Sequence, residues 1–372
     1  MSYDVAVRLH CYMSVKLLNL GLFLLLNLLT SVSAFAQITF GAEFTFTNNE
    51  IISRTRGVGQ VINSATTIYR ERMASAVRRS CQECRFETVV NSYGVDTYKV
   101  IYPDGFYFVI ATDPSVIEVQ TKPATVEEIE KYQGRIQSHI FNVAKSVGLE
   151  PHSSTGGGHI HIGLASATQG SFLKTRNVIV DFFNHAEMAA GVLNADGWNS
   201  PPITMLPEDR QIKLQALVRA ADRGEFFNYR EFVHQIIIDV YNWHQSNWGP
   251  KEKYHALNLS RLKNSDWLVS DRTFEIRSLP PQRNAAEFLA LIRLFDARIR
   301  FVTAKTEPIP LDLPRGLSKT QLHRRFADYV VESGIDYDQF IEDVRFLRPQ
   351  IARAVSPSRR RAPICASVFR AL

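Results

Sequence analysis

The sequence predicts an α+β fold with a largely antiparallel sheet. Segments that alternate in polarity are separated by helical segments of unequal length, without the regular strand–helix alternation of a parallel sheet. Neither GxGxxG nor GxxxxGK[ST] occurs, which excludes the two commonest phosphate-binding loops. The 372 residues are 45% hydrophobic and 22% charged, which excludes a disordered chain and allows one large domain or two ordinary ones.

The first element is a predicted secretory signal peptide. An apolar run over residues 17–32 follows Lys16 and ends before Ala34-Phe35-Ala36, a small-x-small cleavage pattern. We expect translation to begin at Met13, cleavage near Ala36 and export to the periplasm or medium. An uncleaved membrane anchor is the alternative. It is disfavoured because the run is short for a bilayer span of about 20 residues, so no stable membrane anchor is expected.

The cysteines indicate the redox state of the chain, and the net charge limits the classes of partner. In an oxidising compartment Cys81 and Cys84 favour a local disulfide over free thiols or a redox motif. The net charge of +6 is spread along the chain, so no nucleic-acid partner is expected. The basic run at residues 359–361 is typical of a solvated tail.

Three strands and a helix are predicted in the first half of the mature chain. Residues 38–47 alternate in polarity and place Glu43 and Thr45 on one face, and two further strands are centred on 107–110 and 116–119. A helix then begins at a capping box formed by Thr125 and Glu128 and ends at Gly148.

The second half begins with a glycine-rich turn from residue 155, which leads into a strand carrying His159 and His161. Helices are predicted over roughly 174–193, 208–221 and 228–244, and a strand near 272–279. A second capping box, Asn284 with Glu287, begins a helix that continues to about residue 304. We expect a domain over 37–306, a proline-rich linker over 307–316 and a helical C-terminal extension with a basic tail over 317–372.

Acidic and imidazole side chains recur in these strands. His159 and His161 share a face, as do Glu275 and Arg277, because side chains alternate along a strand. Ionised carboxylates among apolar residues cost several kcal/mol unless compensated. Carboxylates with one imidazole suit Mg²⁺ or Mn²⁺. Taken singly, each residue also fits a structural role, and Arg277 could simply pair with Glu275.

Five motifs in order resemble a known family. They are Gly41-Ala42-Glu43-Phe44 with Phe46, Asp113-Pro114-Ser115 with Glu118 and Pro123, Gly157-Gly158-His159-Ile160-His161, Asn258-Leu259, and Phe274-Glu275-Ile276-Arg277. This order is similar to that of the amidoligase family, in the carboxylate–amine ligase group that shares the glutamine synthetase fold. The resemblance covers roughly residues 38–305.

The resemblance implies a curved antiparallel sheet with flanking helices, whose concave face binds ATP and Mg²⁺ or Mn²⁺. It implies metal ligands at Glu43, Glu118, His159 and Glu275. His161 would lie near the nucleotide phosphates, Arg277 would steady the transferred phosphoryl group, and Asn258 would line the pocket. Further basic candidates for phosphate or carboxylate contacts are Lys253, Arg261 and Arg272. The implied reaction joins a carboxylate to an amine through an acyl phosphate, with peptides or cell-wall fragments as plausible substrates.

Two departures from the family pattern keep other functions open. The first strand of the family carries Glu-x-Glu, and here the second position is Thr45, which removes one metal ligand. An exported protein also meets little ATP. One alternative is a metal-dependent hydrolase or transferase in which His159, His161 and a glutamate hold a zinc-like ion. Another is a catalytically inactive binding protein on the same fold.

Overall fold

The computed structural model describes residues 37–55, 64–90, 94–113, 115–151, 157–188, 200–242, 253–262 and 272–344. The predicted signal peptide, the start of the turn before His159 with its first glycine, Gly156, and the basic tail lie outside these residues. In the described part of the chain, no helix is both long and apolar enough to span a bilayer.

One antiparallel sheet organises the described residues and confirms the predicted α+β class. Its eight strands lie in the order β2-β3-β4-β5-β1-β6-β8-β7, and every neighbouring pair is antiparallel. The strands are β1 Phe40–Phe46, β2 Arg85–Val90, β3 Asp96–Ile101, β4 Tyr107–Asp113, β5 Val116–Thr121, β6 His159–Gly163, β7 Leu257–Asn258 and β8 Thr273–Ile276.

Helices flank this sheet. They are α1 Asn49–Thr55, α2 Ser64–Ser80, α3 Val126–Ile136, α4 Asn142–Ser146, α5 Leu164–Thr168, α6 Phe172–Asn184, α7 Glu208–Asp222, α8 Tyr229–Ile236, α9 Ala285–Thr303, α10 Lys319–Glu332 and α11 Tyr337–Asp343. The predicted helix up to Gly148 is formed by α3 and α4 with a π-helical turn between them, and Gly148 follows with φ of +80°.

The central strand β1 separates a core face from a polar face. Phe40, Phe44 and Phe46 are buried, and Phe44 makes edge-to-face contacts with Phe141 and Phe288, each at 4.9 Å between ring centroids. Glu43 and Thr45 alternate with these residues and lie on the opposite face, as predicted.

The two predicted capping boxes differ in the structure. At α3, Thr125 accepts from the amide of Glu128, whose carboxylate accepts from the amide of Thr125, so the box is complete. At α9, the Asn284 side chain accepts from the backbone amide of Glu287 as expected. The Glu287 carboxylate, however, accepts from the backbone amide of Arg283 and not from that of Asn284. The second prediction of a reciprocal box was therefore wrong, although the helix begins where predicted.

The segment predicted as a linker lies along α6. Asn177 and Asn184 each exchange two hydrogen bonds with its backbone, through the side-chain amide nitrogen and oxygen. Beyond it, Phe326 of α10 and Phe340 of α11 are buried in the same hydrophobic core as the sheet. The C-terminal helices are thus packed against the body of the protein.

A disulfide joins Cys81 and Cys84, as the spacing predicts. It lies between the end of α2 and the start of β2.

Candidate metal centre

The register of β1 and β6 brings the first acid and both histidines together. Glu43 lies opposite His159, and Gly41 lies opposite His161. Glu43 accepts from His159 Nδ1 through Oε2 at 2.9 Å and from His161 Nε2 through Oε1 at 2.8 Å. Both oxygens of this buried carboxylate are therefore engaged by imidazole.

Strand β8 adds the second acid on the same face. Glu275 lies opposite His161, and its Oε1 is 3.5 Å from His159 Nδ1. Arg277 donates to Oε1 at 2.5 Å and Asn258 donates to Oε2 at 2.5 Å. Glu43, His159 and Glu275 each offer a donor atom within 4.8 Å of the other two. Three segments remote in the sequence thus meet at one point of the sheet.

The partners of both acids favour the ionised form. Burial opposes ionisation of Glu43, but the hydrogen bonds and charges of His159 and His161 lower its pKa well below the usual value. Burial likewise opposes ionisation of Glu275, while the charges of Arg277 and His159 lower its pKa. The ionised carboxylate is the form that binds a cation.

Glu118 faces the cluster from β5 without joining the group of three. It lies opposite Thr45, and Gln120 donates to its Oε1 at 2.6 Å. Burial, followed by the nearby charges of Glu43 and Asp113, raises the pKa of Glu118 well above its usual value. A cation at this point would offset the repulsion.

Asp113 is an acid of this site to which sequence reasoning assigned no role. It ends β4, where Asp113 lies opposite Val116 at the hairpin to β5. Asp113 is exposed at the end of the strand, but desolvation of its carboxyl group raises its pKa. The charges of Lys253 and His159 act in the opposite direction, and the charge of Glu43 reinforces the rise. The alternation of Val109, Ala111 and Asp113 along the strand was the signal that could have found it.

The side chains fit a hard divalent cation. Two of the three ligands are carboxylates, whose oxygens Mg²⁺ and Mn²⁺ prefer, and the third is one imidazole. Glu118 and Asp113 add carboxylates whose mutual repulsion such a charge relieves. Glu43, His159 and Glu275 would hold the ion.

Comparisons with known proteins give little information about the function of this site. No protein-family model matches the chain, and no curated protein is similar to it. Among solved structures, the chain is similar to apo GmaS without ligand, at 10% sequence identity and a TM-score of 0.37. The similarity covers 88% of this chain and 72% of that one. At this level the likeness carries no conclusion about activity.

Basic side chains lie beside the acids. Arg277 and Lys253 approach the ring of Tyr254, with the guanidinium carbon 5.7 Å and the ammonium nitrogen 5.1 Å from its centroid. Arg261 is 3.6 Å from Glu43 Oε1 and 3.9 Å from Glu275 Oε2. The site therefore combines carboxylates with cations, and the cations suit an anionic group such as a phosphate.

His161 is committed to other partners on both ring nitrogens. Besides its bond to Glu43, its Nδ1 is 3.0 Å from the hydroxyl of Thr273, which can donate to it. The predicted zinc-like site would need His159 and His161 on one ion, but among the described residues the group of ligands within mutual reach includes His159 and not His161. This arrangement disfavours the hydrolase alternative.

Asn258 and Arg272, both predicted as site residues, are placed differently relative to Glu275. Asn258 lies opposite Glu275 across β7 and β8 and donates to it, and its place in a nucleotide pocket stays a prediction. Arg272 directly precedes β8 and alternates with Thr273 and Glu275, which places it on the opposite face of an extended strand. Its contact with a phosphate stays a prediction.

The glycines before His159 serve packing against protein side chains. A Cβ at Gly157 would lie 2.8 Å from His159 Nε2, and one at Gly158 would lie 2.1 Å from Gln282 Nε2. Glycines can let a backbone approach a ligand closely, because they carry no side chain. In the structure they admit His159 and Gln282, and so set the position of a candidate metal ligand.

Proposed function

We propose that the chain is an exported, ATP- and Mg²⁺-dependent ligase that joins a carboxylate to an amine through an acyl phosphate. The observation that carries this proposal is the juxtaposition of Glu43, His159 and Glu275 with the cations Arg277 and Arg261. Such a site can hold a cation and a polyphosphate side by side, which is what phosphoryl transfer requires.

In this proposal, the charged residues of the site have different roles. A divalent ion, when bound, supplies positive charge against the phosphates. Arg277, fixed between Glu275 and Tyr254, stabilises the negative charge of the transferred phosphoryl group. Lys253 and Arg261 contact the remaining phosphate oxygens or the substrate carboxylate. His161 keeps Glu43 oriented and ionised toward the ion.

The substrate class follows from the reaction. The acceptor is an amine that attacks the acyl phosphate carbonyl, releases inorganic phosphate and forms an amide. Because the predicted signal peptide directs export, peptides or cell-wall fragments are the proposed substrates. The proposal includes no nucleic-acid partner and no stable membrane anchor.

The deciding experiment incubates purified residues 37–372 with ATP, Mg²⁺ and a panel of carboxylates and amines. Phosphate release is measured together with amide formation by mass spectrometry. We expect Glu275→Gln to lower phosphate release at least about 100-fold, because one candidate metal ligand is lost. The matched control is Glu130→Gln, which removes an exposed partner of Arg293. Wild-type protein that neither binds nor hydrolyses ATP would contradict the proposal.

A second candidate is a binding protein without catalysis, and one observation favours it. The hydroxyl of Thr45 bonds the carbonyl of Gly157 at 2.9 Å, so this position offers no charge to a second metal ion. A binding protein would show ATP or metal binding without phosphate release. The same incubation therefore separates the two candidates.

A further inference from the structure

Two arginines pair with the same acids in different ways. Arg277 contacts Glu275 at 2.5 Å, and its side chain is 15% exposed. Arg261 lies 3.6 Å from Glu43 and 3.9 Å from Glu275, and its side chain is 50% exposed. Arg277 is therefore a fixed partner, whereas Arg261 is held loosely at the open side of the acids.

The position of Arg261 is set by a residue of the same site. Arg261 belongs to a short 3₁₀ turn, Ser260–Leu262. Asn258 accepts from the amide of Ser260 at 2.9 Å and donates to Glu275 at 2.5 Å. One side-chain amide thus links the turn that carries Arg261 to the acid that Arg261 approaches.

Arg261 and a divalent cation compete for the same negative charge. Glu43 and Glu275 are both neighbours of Arg261 and both members of the candidate metal group. A cation between them would repel the guanidinium. Arg261 is half-exposed and its two distances are long, whereas Glu43 keeps His161 at 2.8 Å and Glu275 keeps Arg277 at 2.5 Å. Moving the Arg261 side chain away therefore costs little, because neither acid is left without a nearer partner. Arg277 lacks this freedom because only 15% of its side chain is exposed and it bonds Glu275 at 2.5 Å.

We propose that Arg261 is the counter-ion of Glu43 and Glu275 in the metal-free protein and turns to the anionic substrate once a divalent cation binds. The inference rests on the proposed function, because it takes these acids as metal ligands. Arg261 then couples the two ligands: the cation frees the arginine, and the arginine binds a phosphate. By linkage, the phosphate strengthens metal binding by the same factor.

The test measures binding rather than activity. Mn²⁺ binding is followed by the electron paramagnetic resonance of the free ion, in wild type, Arg261→Gln, Arg261→Lys and Arg293→Gln. Binding of tripolyphosphate is then measured by calorimetry with Mn²⁺ in excess over protein and probe. Arg293 is a matched control, since it is 49% exposed and pairs with Glu130 on the helical layer.

We expect Arg261→Gln to bind Mn²⁺ about tenfold more tightly and tripolyphosphate about tenfold more weakly. Arg261→Lys keeps the charge and should bind Mn²⁺ as the wild type does, and Arg293→Gln should change neither affinity. Unchanged or weaker Mn²⁺ binding by Arg261→Gln overturns the inference, as does tighter Mn²⁺ binding with unchanged tripolyphosphate binding. A wild type that binds no Mn²⁺ contradicts the metal site of the proposed function itself, and the inference falls with it.

Discussion

The hydroxyl of Thr45 donates a 2.9 Å hydrogen bond to the carbonyl of Gly157 and so ties the central strand β1 to the segment that leads into His159. Thr45 is buried and lies two residues after Glu43 on the same face. Thr45 therefore fixes the backbone of Gly157, two residues before the candidate ligand His159.

Replacing Thr45 by Val should lower the free energy of unfolding by about 1 to 2 kcal/mol, because the partly buried carbonyl of Gly157 loses its hydrogen-bond donor. Urea unfolding measures the change. Thr45→Ser keeps the hydroxyl and should lower the free energy of unfolding by less than Thr45→Val does, because it lacks only the methyl group. Equal stability of Thr45→Val and wild type would show that the bond is not important for the fold.

Metal binding should stabilise the wild type in a manner that depends on Glu43. Mn²⁺ at about 100 times its dissociation constant should raise the free energy of unfolding by about 2.7 kcal/mol, since only the folded chain presents the site. In Glu43→Gln one ionised ligand is lost, so the gain should largely vanish. Thermal unfolding with and without Mn²⁺ measures both. A gain that persists in Glu43→Gln would place the ion elsewhere.

A Gly158→Ala substitution should destabilise the protein by about 1 to 3 kcal/mol through overpacking. The new Cβ would lie 2.1 Å from Gln282 Nε2, and that side chain is itself buried and bonded to the carbonyl of Pro280. Chemical unfolding gives the cost. Adding Gln282→Ala to the variant should recover part of it by making room. A double variant no more stable than the single one would contradict this contact.

Alternation along strands explains how much of the site the sequence could predict. It placed Glu43 with Thr45, His159 with His161, and Glu275 with Arg277 on shared faces, and the observed registers bring these faces together. It could not give the strand order, because that depends on long-range pairing rather than local pattern.

Other features had weaker local signals. The β2–β3 hairpin was not predicted: β2 is mostly exposed at the edge of the sheet, so its sequence, which ends in the exposed Val89 and Val90, lacks a buried alternating face. Asp113 was overlooked as a site residue because its neighbours at the site come from other strands.

The buried pair of Arg298 and Asp181 should be among the costliest to break. Arg298 donates to both oxygens of Asp181, at 2.9 and 2.6 Å, and also to Glu332 of α10 at 3.0 Å. Arg298→Met leaves a buried carboxylate without its cation and should cost about 3 to 5 kcal/mol. Urea unfolding is the measurement, with the exposed Arg293→Gln as a control.

The double variant Arg298→Met with Asp181→Leu sharpens this test. Removing both charges should recover much of the loss, because apolar replacements of a buried pair are often tolerated. If the double variant is as unstable as the single one, the cost comes from packing or from Glu332 rather than from the unpaired acid.

Acid should weaken the attachment of α10 through Glu187. This fully buried carboxylate accepts from His185 Nδ1 at 2.6 Å and from Arg325 Nε of α10 at 3.3 Å. Burial opposes its ionisation, but these two partners lower its pKa below the usual value of 4.5. A lowered pKa in the folded state means that Glu187 stabilises the fold above about pH 4.5, and that this contribution is lost as the pH falls through the folded-state pKa.

Glu187→Gln should therefore be less stable than wild type by about 2 to 4 kcal/mol at pH 7, and the difference should narrow as the pH falls below 4.5. Urea unfolding of both proteins between pH 7 and pH 3 measures this difference in the free energy of unfolding. Arg325→Gln should lose less stability than the wild type between pH 7 and pH 3, because Arg325 helps to lower the pKa of Glu187. A stability difference that stays constant over this range would mean that hydrogen bonding alone, and not the charge of Glu187, holds α10 in place.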